Sequence, residues 1–225
     1  MGVKAAAMSA LLNCKLSGVS MASSPDISIR EGSTRMYELF EHLLDDVLES
    51  YKILESDKES QHLRRAAVRN VFSFIEAVVH IIKHEIKSDL RLNRFSYTLT
   101  KNNCEVLFEE KIRNEEIIPF FIPIETNIKK TFSLASKVWG LERFNLNTND
   151  EKYRAFLIAK EVRNKLTHPR TFYDIQITSD DISNVSKAYI WVKSEFLRLI
   201  KMKVHIIATG LPPELYAHIM GDENT

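Results

Sequence analysis

Val68-Arg69-Asn70-Val71-Phe72-Ser73-Phe74-Ile75-Glu76-Ala77-Val78-Val79 is nearly continuous in apolar side chains. It lies in the middle of a longer stretch, from near Glu59 towards Leu92, that holds neither glycine nor proline. Leu63, Ala66, Ala67, Val71, Phe74, Ile75, Val78, Val79, Ile82 and Ile86 recur there at helical spacing. An apolar stripe that broadens in its middle predicts a central helix packed on more than one side. Glu76 sits inside that broad part, and a carboxylate there needs a cationic or hydrogen-bonding partner. Arg163 is the first candidate and Arg69, on the same helix, the second. Structural pairing is the plainer role for Glu76 and direct catalysis the sharper one.

Outward from this helix the pattern stays helical. Met36, Leu39, Phe40, Leu43, Leu44, Val47, Leu48, Tyr51 and Leu54 form an amphipathic helix with an acidic outer face. Ser33 or Thr34 is its expected N-cap, and Ser56-Asp57-Lys58 the turn that follows. Ile128, Phe132, Ala135 and Val138 mark a helix from Ile124 to Trp139 with Gly140 as its stop. A capping box of Thr148 and Glu151 is expected to open the next one. After an extended segment, in which Phe172 and Tyr173 are expected to pack back, Ser179 caps a last long helix through Ile182, Val185, Ala188, Tyr189, Val192, Phe196, Leu199 and Ile200.

Six glycines and six prolines in 225 residues leave little room for a turn-rich β fold. The expected fold is therefore all-α, an antiparallel bundle of about five long helices. Residues 1–32 read as a weakly ordered leader, 33–209 as a single domain and 210–225 as a tail. The first residues faintly resemble a secretory leader, but Asn13, Cys14 and Lys15 break its apolar run. Residues 93–123 form an irregular insertion, with a short helix expected over Glu105 to Ile112 and an apolar loop from Ile117 to Pro123. Phe120 and Phe121 in that loop are either an end filling for the bundle or a docking patch.

A net charge of +1 advertises no general affinity for nucleic acid, so any such contact has to come from a local patch. Cys14 and Cys104 lack metal-ligand spacing and read as free thiols of a reducing, cytoplasmic setting. No apolar run reaches the length of a membrane span, and no membrane partner is expected. His80 and His84 are four apart on one helix, which zinc can use, yet Glu85 does not complete a helical zinc motif. Both read as solvated surface, and neither a metal nor another cofactor is expected.

The reactive residues gather in Lys160-Glu161-Val162-Arg163-Asn164-Lys165-Leu166-Thr167-His168-Pro169-Arg170. Ala155, Ile158, Ala159, Val162 and Leu166 form a stripe with Arg163 at its edge. Pro169 disfavours helical geometry at the preceding residue, so the helix is expected to end near Thr167 with His168 on the departing turn. The helix C-terminus favours the protonated imidazole there. Arg163 and His168 stand about 140° apart on an ideal helix, so they converge only if the chain turns back at Pro169. Asn164, one turn before His168, is placed to orient the imidazole. Lys160, Lys165 and Arg170 add flanking cations.

Arg-Asn, three residues, then His-Pro, between long amphipathic helices, resembles the HEPN superfamily, the higher eukaryotes and prokaryotes nucleotide-binding domains. The pattern covers roughly Thr34 to Lys203, but its specific part is Arg163 to His168, and about 0.4 such Arg–His spacings arise by chance from this composition. The resemblance implies a metal-independent endoribonuclease of toxin or defence type, with two protomers facing their motifs across a homodimer interface. It implies RNA as substrate, Arg163, Asn164 and His168 as catalytic residues, Lys160, Lys165 and Arg170 as RNA contacts, Glu76 and Pro169 as support, and an inhibitory antitoxin or other regulatory protein as partner. The alternative is a non-catalytic helical module for dimerisation, nucleotide binding or protein interaction, in which Arg163 pairs with an acidic neighbour and His168 caps its helix.

Overall fold

The computed structural model describes residues 25–113 and 116–210. Its elements are α1 (Pro25–Ser56), α2 (Gln61–Arg91), α3 (Lys101–Phe108), β1 (Glu110–Arg113), β2 (Glu116–Pro119), α4 (Ile124–Val138), α5 (Glu151–Thr167) and α6 (Ser179–Thr209), with a 3₁₀ turn at Phe172–Ile175. Most of the described residues are helical and five of the six helices are long, so the fold is all-α as the periodicity predicts. Among the described residues no helix is long and apolar enough to cross a membrane.

α2 is the central helix. Val68, Val71, Phe72, Phe74, Ile75, Val78, Val79, Ile81, Ile82 and Ile86 are all buried, because α1, α4, α5 and α6 all pack against it. Each such side chain contributes roughly 1.5–3 kcal/mol by leaving water. Phe40 of α1 wedges between Phe74 and Phe196, with ring centroids 5.3 and 5.1 Å away. Tyr153 and Phe156 of α5 close on Trp191 of α6 at 5.0 and 5.2 Å. These aromatic contacts fix how α5 rotates about its own axis, and so where Arg163 emerges.

A helix packed on most of its sides must also satisfy the polar residues it buries. Lys83, Glu85 and Asp89 of α2 are each buried. Lys203 of α6 answers two of them, its Nζ lying 2.8 Å from Glu85 Oε2 and 2.7 Å from Asp89 Oδ2. Trp139 Nε1 donates to Asp89 Oδ2 at 2.8 Å. Lys83 turns instead towards the insertion, where Nζ donates to Glu109 Oε1 at 2.8 Å. That bond links the central helix to the segment that forms one wall of the site.

Several local expectations are corrected. α1 is already helical at Pro25, a residue suited to a first helical turn, so Ser33 and Thr34 lie inside it and the expected leader boundary at residue 32 falls within a helix. Residues 1–24, with Cys14, and the tail beyond Gly210 lie outside the described residues. The insertion's helix sits earlier than expected, at Lys101–Phe108, and Thr100 caps it by accepting from Asn103 N–H. Its apolar run is half of a hairpin, with Lys111 opposite Ile118 and Ile112 opposite Ile117. Strands this short carry too few residues to show a period, and β-branched isoleucines favour the extended form. Asp150, rather than Thr148, caps α5 by accepting from Lys152 N–H at 2.8 Å. Thr178, rather than Ser179, caps α6 in a reciprocal capping box with Asp181. Ile158 stands exposed at the far edge of the α5 stripe from Arg163. Phe172 and Tyr173 do not pack back: they are 69% and 82% exposed and touch each other edge-on. Gly140, at φ +65, does stop α4 as expected.

Candidate functional site

α5 carries the motif, and its buried stripe of Ala155, Phe156, Ala159, Val162 and Leu166 anchors it to the core. The helix ends at Thr167, and His168 leaves with φ −131 and ψ 63, outside the helical region that a following proline disfavours. Its backbone N–H still donates to Asn164 O at 3.0 Å. Thr167 Oγ1 donates to Arg163 O at 2.9 Å, satisfying another terminal carbonyl. Beyond Pro169 the Asp174 carboxylate accepts from Arg170 N–H at 2.9 Å and Thr171 N–H at 2.8 Å. Those backbone donors, Arg170's first, hold the Asp174 carboxyl below its usual range. The turn after the motif is thus pinned.

Arg163 reaches α2. Its Nη2 donates to Glu76 Oε1 at 2.6 Å, with the two side chains 31% and 44% exposed. The partner expected for Glu76 is therefore the one observed, and Arg69 points to solvent. Arg163 Nη1 also lies 3.5 Å from Asn164 Oδ1, a long contact. Asn164 consequently leans on the arginine, and no side-chain hydrogen bond joins it to His168 among the described residues. The expectation that Asn164 orients the imidazole is corrected on this point. The reason is geometric: His168 lies past the helix end, where the four-residue spacing no longer places two side chains together.

The flanking cations divide. Lys160 is held by Glu125 Oε2 at 3.0 Å and Glu161 Oε1 at 3.4 Å, so its ammonium is engaged within the chain. Lys165 and Arg170 are exposed, and neither forms an ion pair among the described residues. Glu125 also accepts from Lys129 Nζ and Tyr153 Oη, both at 2.9 Å. The Lys129 hydrogen bond, followed by those from Lys160 and Tyr153, draws its carboxyl down to about 2 against the desolvation that opposes them.

Arg163 and Glu76 form one rim of a cleft of about 290 Å³. Val79, His80, Glu109, Phe120, Phe121, Ile122, Ile124 and Asn127 complete its lining. His80 follows Glu76 by one turn and is exposed on the cleft side of α2, whereas His84 is half-buried and not the solvated residue expected. Burial lowers the His84 imidazole. Glu109 caps α3 in left-handed geometry, φ 54 and ψ 39, uncommon for a residue with a side chain. Its Oε1 accepts from Lys83 Nζ and from Asn127 Nδ2, both at 2.8 Å. Burial alone raises the Glu109 carboxyl, but these two donors outweigh it and leave the group below its usual range.

His80, Lys83, Glu109 and Asn127 were not singled out by the motif. The four-residue step from Glu76 to His80 was legible as one helix face; Glu109 and Asn127 meet it only through tertiary packing. Chemically, the cleft offers a guanidinium with unused N–H donors, a carboxylate acceptor, the exposed imidazole of His80 and an apolar wall, whereas His168, exposed beyond the helix end, is not among its lining residues. Comparison of the chain with protein-family models, with curated proteins and with solved structures gives no match.

Proposed function

We propose that this chain is a metal-independent endoribonuclease of the kind implied by its resemblance to HEPN proteins, acting as a homodimer. The observation that carries the proposal is Arg163, fixed by Glu76 at the rim of the cleft, with the exposed imidazole of His168 on the pinned turn at the end of the same helix. RNA cleavage without a metal needs a base for the 2′-OH, a cation for the phosphate and an acid for the departing 5′-oxygen. His168 takes the 2′-OH proton as that oxygen attacks the adjacent phosphorus. Arg163 presents its planar fork to the non-bridging oxygens as charge builds on them. The P–O5′ bond breaks, the 5′-oxygen gains a proton, and a 2′,3′-cyclic phosphate remains. One protomer brings one motif histidine; a second copy across a two-fold axis supplies the other, so that one accepts and one donates. Lys165 and Arg170 supply cations for the RNA backbone, and toxin- or defence-type activity calls for a regulatory protein that holds it in check.

The test is cleavage of an end-labelled RNA in EDTA by the full chain and by His168→Ala. The expected loss is at least about 100-fold, with a 2′,3′-cyclic phosphate end on the parental product. Undiminished cleavage by a purified, folded His168→Ala protein refutes the assignment.

A second reading rests on the same ion pair. Arg163 bound to Glu76 ties α5 to α2, which suits a non-catalytic module that keeps the arginine for packing. That reading expects no cleavage in EDTA and a destabilised fold in Arg163→Ala.

A further inference from the structure

The cleft beside Arg163 has a chemistry that phosphate binding does not use. One of its lining groups is the Glu109 carboxylate, held by a buried lysine and by Asn127. Both donors converge on Oε1, which leaves Oε2 without a partner among the described residues. Asn127 is itself positioned, since its Oδ1 accepts from Thr131 Oγ1 at 3.3 Å. Glu109 adopts its left-handed backbone at the open end of the hairpin, its carbonyl accepting from Phe120 N–H at 2.7 Å. An ionised acceptor fixed by packing, backbone and two hydrogen bonds is a recognition group in the making. The Phe121 ring, 85% exposed, stands at the mouth, and Ile122 and Val79 line the wall.

We propose that this cleft is a nucleobase subsite that takes a base bearing an exocyclic amino group and rejects uracil. This inference rests on the ribonuclease reading for its substrate and adds a specificity determinant, Glu109, outside the motif. A volume of about 290 Å³ sits at the low end of ligand pockets and suits one planar ring system better than a dinucleotide. An unstacked base lays its face on Phe121, as single-stranded RNA does on exposed aromatic rings. Its pairing edge meets Glu109. Guanine, adenine and cytosine each present an amino group whose N–H donates to the carboxylate. Uracil presents two carbonyl oxygens on either side of its single N–H, and those oxygens face a negative charge. The attached phosphate then lies towards Arg163, on the rim of the same cleft.

The experiment titrates full-length, isotope-labelled protein with the four nucleoside 3′-monophosphates in EDTA, following chemical shifts. The three amino-bearing nucleotides are expected to bind about tenfold or more tightly than the uridine nucleotide, with shifts centred on the Asn127 side-chain amide. Glu109→Gln brings all four affinities to within about threefold of one another. Because that change breaks the bond from buried Lys83, Phe121→Ala is the second variant: its ring is exposed, and its loss weakens every base about tenfold while uridine stays weakest. Equal binding of all four nucleotides by the parent, or discrimination kept in folded Glu109→Gln, overturns the subsite. RNA cleavage with no nucleotide shift at Asn127 overturns the subsite and leaves the ribonuclease reading standing. Selective binding without cleavage supports the subsite and refutes that reading.

Discussion

Separating Arg163 and Glu76 tests whether their pair is a support or part of the chemistry. The guanidinium and carboxylate are 2.6 Å apart, with 31% and 44% of the side chains exposed. Two unit charges about 4 Å apart attract by about 4 kcal/mol at the effective dielectric of a protein surface and about 1 kcal/mol in water. Side-chain ordering and solvent screening bring exposed pairs to below about 1 kcal/mol net. A double-mutant cycle with Glu76→Ala and Arg163→Ala, read by urea unfolding, should therefore give a coupling of about 1 kcal/mol or less. A domain with roughly 5–15 kcal/mol of stability remains more than about 99% folded after that loss. RNA cleavage should fall far more: removing a cation that stabilises developing charge costs about 10²–10³ in rate. Glu76→Ala leaves the guanidinium but not its placement, and about 10- to 100-fold is expected. The double variant should be no slower than Arg163→Ala, because Glu76 acts through Arg163. A coupling above about 3 kcal/mol, the range of a buried pair, or an Arg163→Ala protein that cleaves at the parental rate, refutes the reasoning.

Two further predictions concern stability. Lys203 pairs with both Glu85 and Asp89 inside the core and lies 4.5 Å from the centre of the Trp139 ring, so Lys203→Met, which leaves the buried Glu85 without its cation and Asp89 with Arg94 alone, should cost about 3–5 kcal/mol in urea unfolding; a loss below about 1 kcal/mol refutes this. Glu125 has a folded-state carboxyl lowered to about 2 from 4.5, so its contribution is complete above 4.5 and is lost as pH falls through that range towards 2. Because solvent reaches the group, the contribution is below about 1 kcal/mol. The urea midpoints of the parent and Glu125→Gln should differ at pH 6 and converge by about pH 2; a gap that widens on acidification contradicts the sign.

The chain itself carried the all-α fold, the central position of α2, the stop at Gly140 and the helix end at His168. These follow from short-range physics: apolar periodicity, the positive φ open to glycine, and the steric effect of Pro169 on the residue before it. Even the Glu76–Arg163 pair was legible, because a carboxylate inside an apolar stripe demands a cation and an arginine at a helix edge can supply one. Packing decided the rest. Which way α5 turns about its axis is set by Tyr153 and Phe156 against Trp191, and that rotation sends Lys160 to Glu125 and Arg163 to Glu76. Asn164 follows Arg163 and not His168 because the helix has ended before the imidazole. Glu109, at the foot of a hairpin too short to show a period, and Asn127 of α4 meet at the cleft through hydrogen bonds between residues far apart in the chain. Local pattern reports what a segment does with its own backbone; a site formed by four segments depends on how those segments cross, and that is an outcome of the whole core.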